Sequence, residues 1–259
     1  MPARILCLVA FSVFGLAQDP LTAEQAASLN SIREYAINYS QRLPDYTATQ
    51  VVRREVRPSQ NGRFTKGLQK RTDTVEEQIG YVDHRELHKV LRVNGRPPTE
   101  NEAQQSGMYS RGEFGALLDT MFKPETRTVF EWQRIAKLGG RNMLVYAFRV
   151  PQLPNGYAIM EGSRTLIVPY KGLVFADAET KVVMRIQMQC TDIPSVSQYR
   201  SMSLTVDYKR TQVAGRDFIL PSQFVMNLSG LDSDVTMQAT YKDYRRFATD
   251  ATIMFDSEP

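Results

Sequence analysis

The strongest constraint on this chain is a series of turn-sized breaks between segments whose apolar residues alternate. Residues 128–138 and 141–150 flank Gly139-Gly140, a pair that readily takes the positive φ angles of a tight hairpin turn. Residues 166–175 and 182–188 flank the turn Asp177-Ala178-Glu179-Thr180. Residues 202–213 and 217–228 flank Ala214-Gly215, and Pro221 inside the second segment marks an edge or a bulge. Val235, Met237, Ala239 and Tyr241 alternate in a last run that continues towards Phe247. Upstream, Val75, Ile79 and Tyr81 alternate, as do Leu87, Leu91 and Val93. A three-residue turn, Asp83-His84-Arg85, keeps both of those stripes on one face, whereas a two-residue turn would oppose them. About ten strands result, mostly in consecutive hairpins. Such alternation implies an antiparallel sheet with one buried face, and an open sheet of this width curls.

Two helices interrupt the strands. Thr22-Ala23-Glu24-Gln25 is a capping box, followed at near-helical spacing by Leu29, Ile32, Ala36, Tyr39 and Leu43 before Pro44. Ser110-Arg111-Gly112-Glu113 is a second capping box. It opens a stripe of Phe114, Leu117, Leu118, Met121 and Phe122 that Pro124 stops. Both helices must bury an apolar face. The predicted fold is therefore mainly β (α+β): a strongly curved antiparallel sheet, or unclosed β-barrel, of about ten strands wrapping two amphipathic helices. Residues 96–107, with Pro97-Pro98, form a polar loop ahead of the inserted helix.

The start of the chain has its own pattern. Arg4 supplies a positive n-region, residues 5–16 an apolar run too short to span a bilayer, and Gly15-Leu16-Ala17 a small-x-small cleavage site. Residues 1–17 are expected to be a signal peptide cleaved near Ala17. Residues 18–259 are expected to form one periplasmic or secreted domain. Cleavage leaves Cys190 as the single cysteine, which suits a small buried hydrophobe better than a nucleophile.

The hairpin Gly172-Leu173-Val174-Phe175-Ala176-Asp177-Ala178-Glu179-Thr180-Lys181-Val182-Val183-Met184-Arg185-Ile186 resembles one carried by the periplasmic lipoprotein-localisation carriers, the LolA type. Gly215-Arg216-Asp217-Phe218-Ile219-Leu220-Pro221 resembles another. The likeness is one of architecture, covers most of the chain after the leader, and transfers no functional residue. It implies a hydrophobic cavity between sheet and helices that accepts a lipid or a lipidated protein by its acyl chain. Phe114, Leu117, Leu118, Met121 and Phe122 of the second helix would line it with Phe130, Trp132 and Met143, unless these residues simply fill the core.

No chemistry-bearing motif stands out beside this pattern, so no catalytic residue, metal ligand or cofactor is expected. His84-Arg85-Glu86-Leu87-His88 has its glutamate at the wrong offset for a helical zinc motif and reads as a pair of surface histidines. There is no Gly-x-Ser-x-Gly elbow and no phosphate-cradling glycine loop. Glu76-Glu77 reads as alternating exposure on a strand and Asp232/Asp234 as a solvated turn, although paired carboxylates could still serve a hydrolase. Arg53, Arg54 and Arg57, joined by Arg63, Lys66, Lys70 and Arg71, form the main basic cluster. It is either a solvated pair of strands or an attraction to an anionic membrane surface, worth about 1 kcal/mol per residue. The net charge of +4 comes without a basic-aromatic motif, so nucleic acid is not an expected partner. Three readings remain: a binder of an apolar ligand, an interaction protein offering a sheet edge, and, third, a carboxylate hydrolase.

Overall fold

The computed structural model describes residues 20–59, 69–103, 115–154, 156–161 and 164–247. Helix α1 (Ala23–Ile37) opens on the expected capping box: Thr22 Oγ1 accepts from Gln25 N at 3.2 Å, and Thr22 N donates to Gln25 Oε1 at 3.0 Å. The single run expected to reach Leu43 is broken at Asn38, whose Nδ2 donates to Glu34 O at 2.9 Å. The short helix α2 (Tyr39–Arg42) carries the chain on to the sheet. Helices α3 (Glu100–Ala103) and α4 (Ala116–Phe122) follow later in the chain. The second capping box and Phe114 lie outside the described residues, as do residues 1–17, Arg63 and Lys66.

The strands are β1 (Tyr46–Pro58), β2 (Arg71–Val82), β3 (Arg85–Val93), β4 (Val129–Leu138), β5 (Arg141–Val150) and β6 (Ala158–Glu161). After them come β7 (Arg164–Ile167), β8 (Tyr170–Asp177), β9 (Val183–Cys190), β10 (Tyr199–Val213), β11 (Arg216–Gly230) and β12 (Ser233–Arg246). Ten of them form one antiparallel sheet in the order β3-β2-β1-β12-β11-β10-β9-β8-β5-β4, while β6 and β7 make a separate hairpin. The ends of that order, β3 and β4, do not pair with each other, so the expected unclosed antiparallel wall is what forms.

Turn chemistry explains most of the register. Gly139 and Gly140 take φ +56° and +80°, and Ala214 and Gly215 take +49° and +79°, the left-handed geometry of two-residue hairpins. Asp177 Oδ1 accepts from Glu179 N and Thr180 N, at 3.1 and 2.9 Å, to shape the β8–β9 turn. At Pro221 the β10 partner shifts between Asp207 and Tyr208, and the β11–β12 ladder begins only at Gln223. The proline therefore sits where β12 makes no demand on its missing N–H.

The β2–β3 turn departs from expectation. Asp83 and His84 both have positive φ, and Val82 pairs directly with Arg85, so the loop has two residues and not three. Leu87 then falls on the face opposite Tyr81, and Leu91 is 37% exposed. Val90 stays on the face of His88, and a bulge opposite Glu76/Glu77 then shifts the register so that Val93 joins Val90 and Val75 in a small cluster.

Candidate functional site: the concave face

The inner face of the sheet reads, strand by strand, as the buried half of each alternation. Tyr46, Ala48 and Val52 of β1, Tyr146 and Phe148 of β5, Leu204 and Val206 of β10, and Ala239 and Tyr241 of β12 all point inward. The helices press on this face near the end marked by the Ala214-Gly215 and Asp83-His84 turns. Tyr39 Oη donates to Ile219 O at 2.7 Å, Tyr81 Oη to Ser40 O at 3.2 Å, and Tyr146 Oη to Gln25 O at 2.7 Å. Helix α4 lies against α1 and α2.

The residues expected from the helix stripe do assemble here. Leu117, Leu118, Met121 and Phe122 are buried, and Phe122 stacks on Phe130 with ring centroids 4.9 Å apart. Trp132 is half-buried and meets Tyr146 edge-on at 5.2 Å. These side chains form part of the packed core. Met143 does not join them. It faces the other side of the sheet, in a separate cluster with Val145, Leu173 and Phe175. Strand β5 is apolar on both faces, so its alternation alone does not tell which face is inward.

Further from the anchored end the face changes character. One transverse row runs Leu204, Met226, Met237, Arg54 and Asp73 in register across five strands, and the next runs Met202, Leu228, Val235, Val56 and Arg71. Met226, Met237, Val235 and Val56 are half-buried. They form an adaptable apolar floor whose margin is charged. The sequence shows Met237 and Val235 as one strand stripe, but only the placement of the helices reveals which rows stay partly open.

Two hollows flank this region. One of about 270 Å³ is lined mainly by Ser201, Ser203, Asn227, Ser229, Asp234 and Thr236, which alternate with the inward residues of the same strands. The other, about 560 Å³, opens beside the β6–β7 hairpin at Glu161, Arg164, Val196 and Leu231. Neither is lined by α1, α2 or α4.

The basic trio is not one patch. Arg53 and Arg57 lie on the outer face, where Arg57 pairs with Glu55, and Lys70 Nζ reaches the same carboxylate at 3.1 Å. Arg54 points to the inner face and donates to Asp73 Oδ2 at 2.6 Å.

The histidines also divide. His84 is exposed at the turn, as expected. The two-residue loop swings His88 inward, leaving its side chain 4% exposed, with Nδ1 3.1 Å from Glu77 Oε2 and Nε2 3.7 Å from Glu86 Oε2. Burial alone would lower its pKa. Hydrogen bonds and charge from Glu77 and Glu86 outweigh that and raise it to about 9. Glu77 is itself fully buried, on the inward side of its strand's alternation, whereas His88 leaves the surface expected of it. In the same region Gln50 Nε2 donates to Tyr241 Oη at 3.0 Å.

Cys190 is buried as expected, and burial pushes its thiol up to about 12, so it is not a thiolate at neutral pH. Among the described residues no group of three or more His, Cys, Asp or Glu side chains is placed to hold a metal ion. Nor is any described helix long and apolar enough to cross a membrane.

No protein-family model matches the chain, and no curated protein matches it. Solved structures do resemble it. A Vibrio parahaemolyticus domain named for outer membrane lipoprotein sorting is 14% identical, with 88% of this chain and 94% of that one covered and a TM-score of 0.46. A DUF1329 family protein from Desulfovibrio piger is 9% identical, covering 86% and 93%, with a TM-score of 0.43. A LolA superfamily protein from Nitrosomonas europaea is 12% identical, covering 85% and 93%, with a TM-score of 0.36.

Proposed function

We propose that this protein is exported to the cell envelope, loses residues 1–17, and uses residues 18–259 as one domain that reversibly binds an apolar ligand. The ligand class is a lipid, or the acyl chain of a lipidated protein. The bound tail lies on the concave face between sheet and helices, and the protein makes and breaks no bonds.

The observation that carries this reading is the half-buried floor of Met226, Met237 and Val235, continuous with the packed core under α4. Half-buried methionine and branched side chains suit a flexible tail, because they repack around it at little enthalpic cost. The space beneath α4 is already occupied by Leu118, Met121 and Phe122. A long tail entering from the floor must therefore displace α4. That helix has seven residues and is too short to be stable without its tertiary contacts, so it can yield locally.

The test is gentle purification from a native envelope followed by mass spectrometry of the bound material. A stoichiometric lipid is the expected result. Protein that emerges without one, and that fails to bind a fluorescent fatty acid, refutes the reading. A second reading would then stand, that a partner adds a strand at the edge of the sheet. It is favoured by Val129 and Ile135, which are 57% and 60% exposed on the terminal strand β4.

A further inference from the structure

The apolar floor ends in charge. In the row that carries Met226 and Met237, the next inward residue is Arg54, directly opposite Met237, and beyond it Asp73 of β2. In the neighbouring row Val235 and Val56 are followed by Arg71. Arg54 Nη2 lies 2.6 Å from Asp73 Oδ2, and Arg71 Nε lies 3.5 Å from the same oxygen. Two guanidiniums thus converge on one carboxylate oxygen at the margin of an otherwise apolar surface. The side chains of Arg54, Asp73 and Arg71 are 24%, 19% and 66% exposed, so Arg54 and Asp73 are partly sheltered while Arg71 opens the group to solvent.

A cation beside apolar surface is costly unless an anion accompanies it. Asp73 supplies that anion in the unliganded chain. Guanidinium groups bind carboxylate and phosphate oxygens with matching planar geometry. An incoming anionic oxygen can share Arg54 and Arg71 with Asp73, or replace it on one of them. The hydrocarbon attached to such an oxygen would then run along the row through Met237 and Met226.

We infer that the concave face takes an amphiphile with a negatively charged head, and that Arg54 and Arg71 receive that head while the methionine floor holds the tail. The inference rests on the apolar-ligand reading and specifies the ligand class of the same site. Carboxylate and phosphate heads share the chemistry required.

The experiment uses the full chain after delipidation and measures binding of palmitate, monohexadecyl phosphate and hexadecanol by displacement of a fluorescent probe. Arg54→Gln and Arg71→Gln are each expected to weaken binding of the two anions about tenfold and to leave hexadecanol unchanged. Asp73→Asn removes the competing carboxylate and should strengthen anion binding. Loss with palmitate alone, or with the phosphate alone, identifies which head the site prefers. If wild type binds none of the three, the apolar-ligand reading fails and this inference with it. If all three bind and the arginine variants weaken them equally or not at all, the head-group assignment is wrong while the apolar reading survives. Arg71 is exposed enough to be replaced without disturbing the fold, so a misfolded Arg54→Gln protein leaves the test intact.

Discussion

The pair formed by His88 and Glu77 ties folding stability to pH in a direction fixed by its geometry. In the unfolded chain the imidazole has an ordinary pKa near 6.5, and in the folded chain it sits near 9. The folded state therefore holds the proton more tightly. The stabilisation is fully present below about pH 6.5 and disappears as pH rises through about 9. At ~1.36 kcal/mol per pH unit the difference amounts to about 3 kcal/mol, a large part of a typical domain's stability. Tyrosines and lysines also titrate at high pH, so the useful quantity is the stability gap between wild type and His88→Gln. Urea unfolding from about pH 6 to about pH 10 should show that gap closing by about 3 kcal/mol, most steeply around pH 9. The imidazole proton resonances of His88 should titrate with the same midpoint. A gap that stays constant, or a ring that titrates near or below its unfolded value, would mean that the buried ion pair does not exist.

Two further perturbations probe the packing. Leu118→Ala removes a fully buried side chain of α4 from the main core cluster, and should cost about 2–5 kcal/mol in denaturant unfolding; a loss well under about 1 kcal/mol would place α4 outside that core. Gly172→Ala should be more severe than its size suggests, because a Cβ there would lie 1.8 Å from Gln187 O and 2.9 Å from the Phe148 ring. A large fall in melting temperature is expected, and unchanged melting would contradict the β5–β8–β9 register.

The parts of the fold that were legible from sequence are those governed by local rules. Gly139-Gly140 and Ala214-Gly215 announce their turns because their backbones need positive φ, and Thr22 with Gln25 announces the start of α1. The Asp83-His84 turn escapes such rules. Non-glycine residues rarely take positive φ, and this turn is held from outside: Asp83 N donates to Asp45 Oδ1 at 3.1 Å, and His84 Nδ1 lies 3.1 Å from Ser40 O. That single miss moved His88 from the expected surface into the interior. Met143 was misplaced for a different reason, since residues 143–148 are apolar on both faces. The charged margin at Arg54 was visible only as one of several arginines, because its row neighbours Met237 and Asp73 come from strands remote in sequence.

Strand β1 lies third from one edge of the sheet, against β12, and Gln50 bonds a tyrosine 191 positions further along the chain. The β3-β2-β1 meander and the block from β12 to β4 can each zip up locally, but they unite only after β12 has been made. Such long-range closure slows folding, and the growing chain meanwhile has an unsealed seam beside β1. Removing β12 would shorten the protein by one strand and also leave two open half-walls, each with a freshly exposed edge prone to pair with its neighbours in solution.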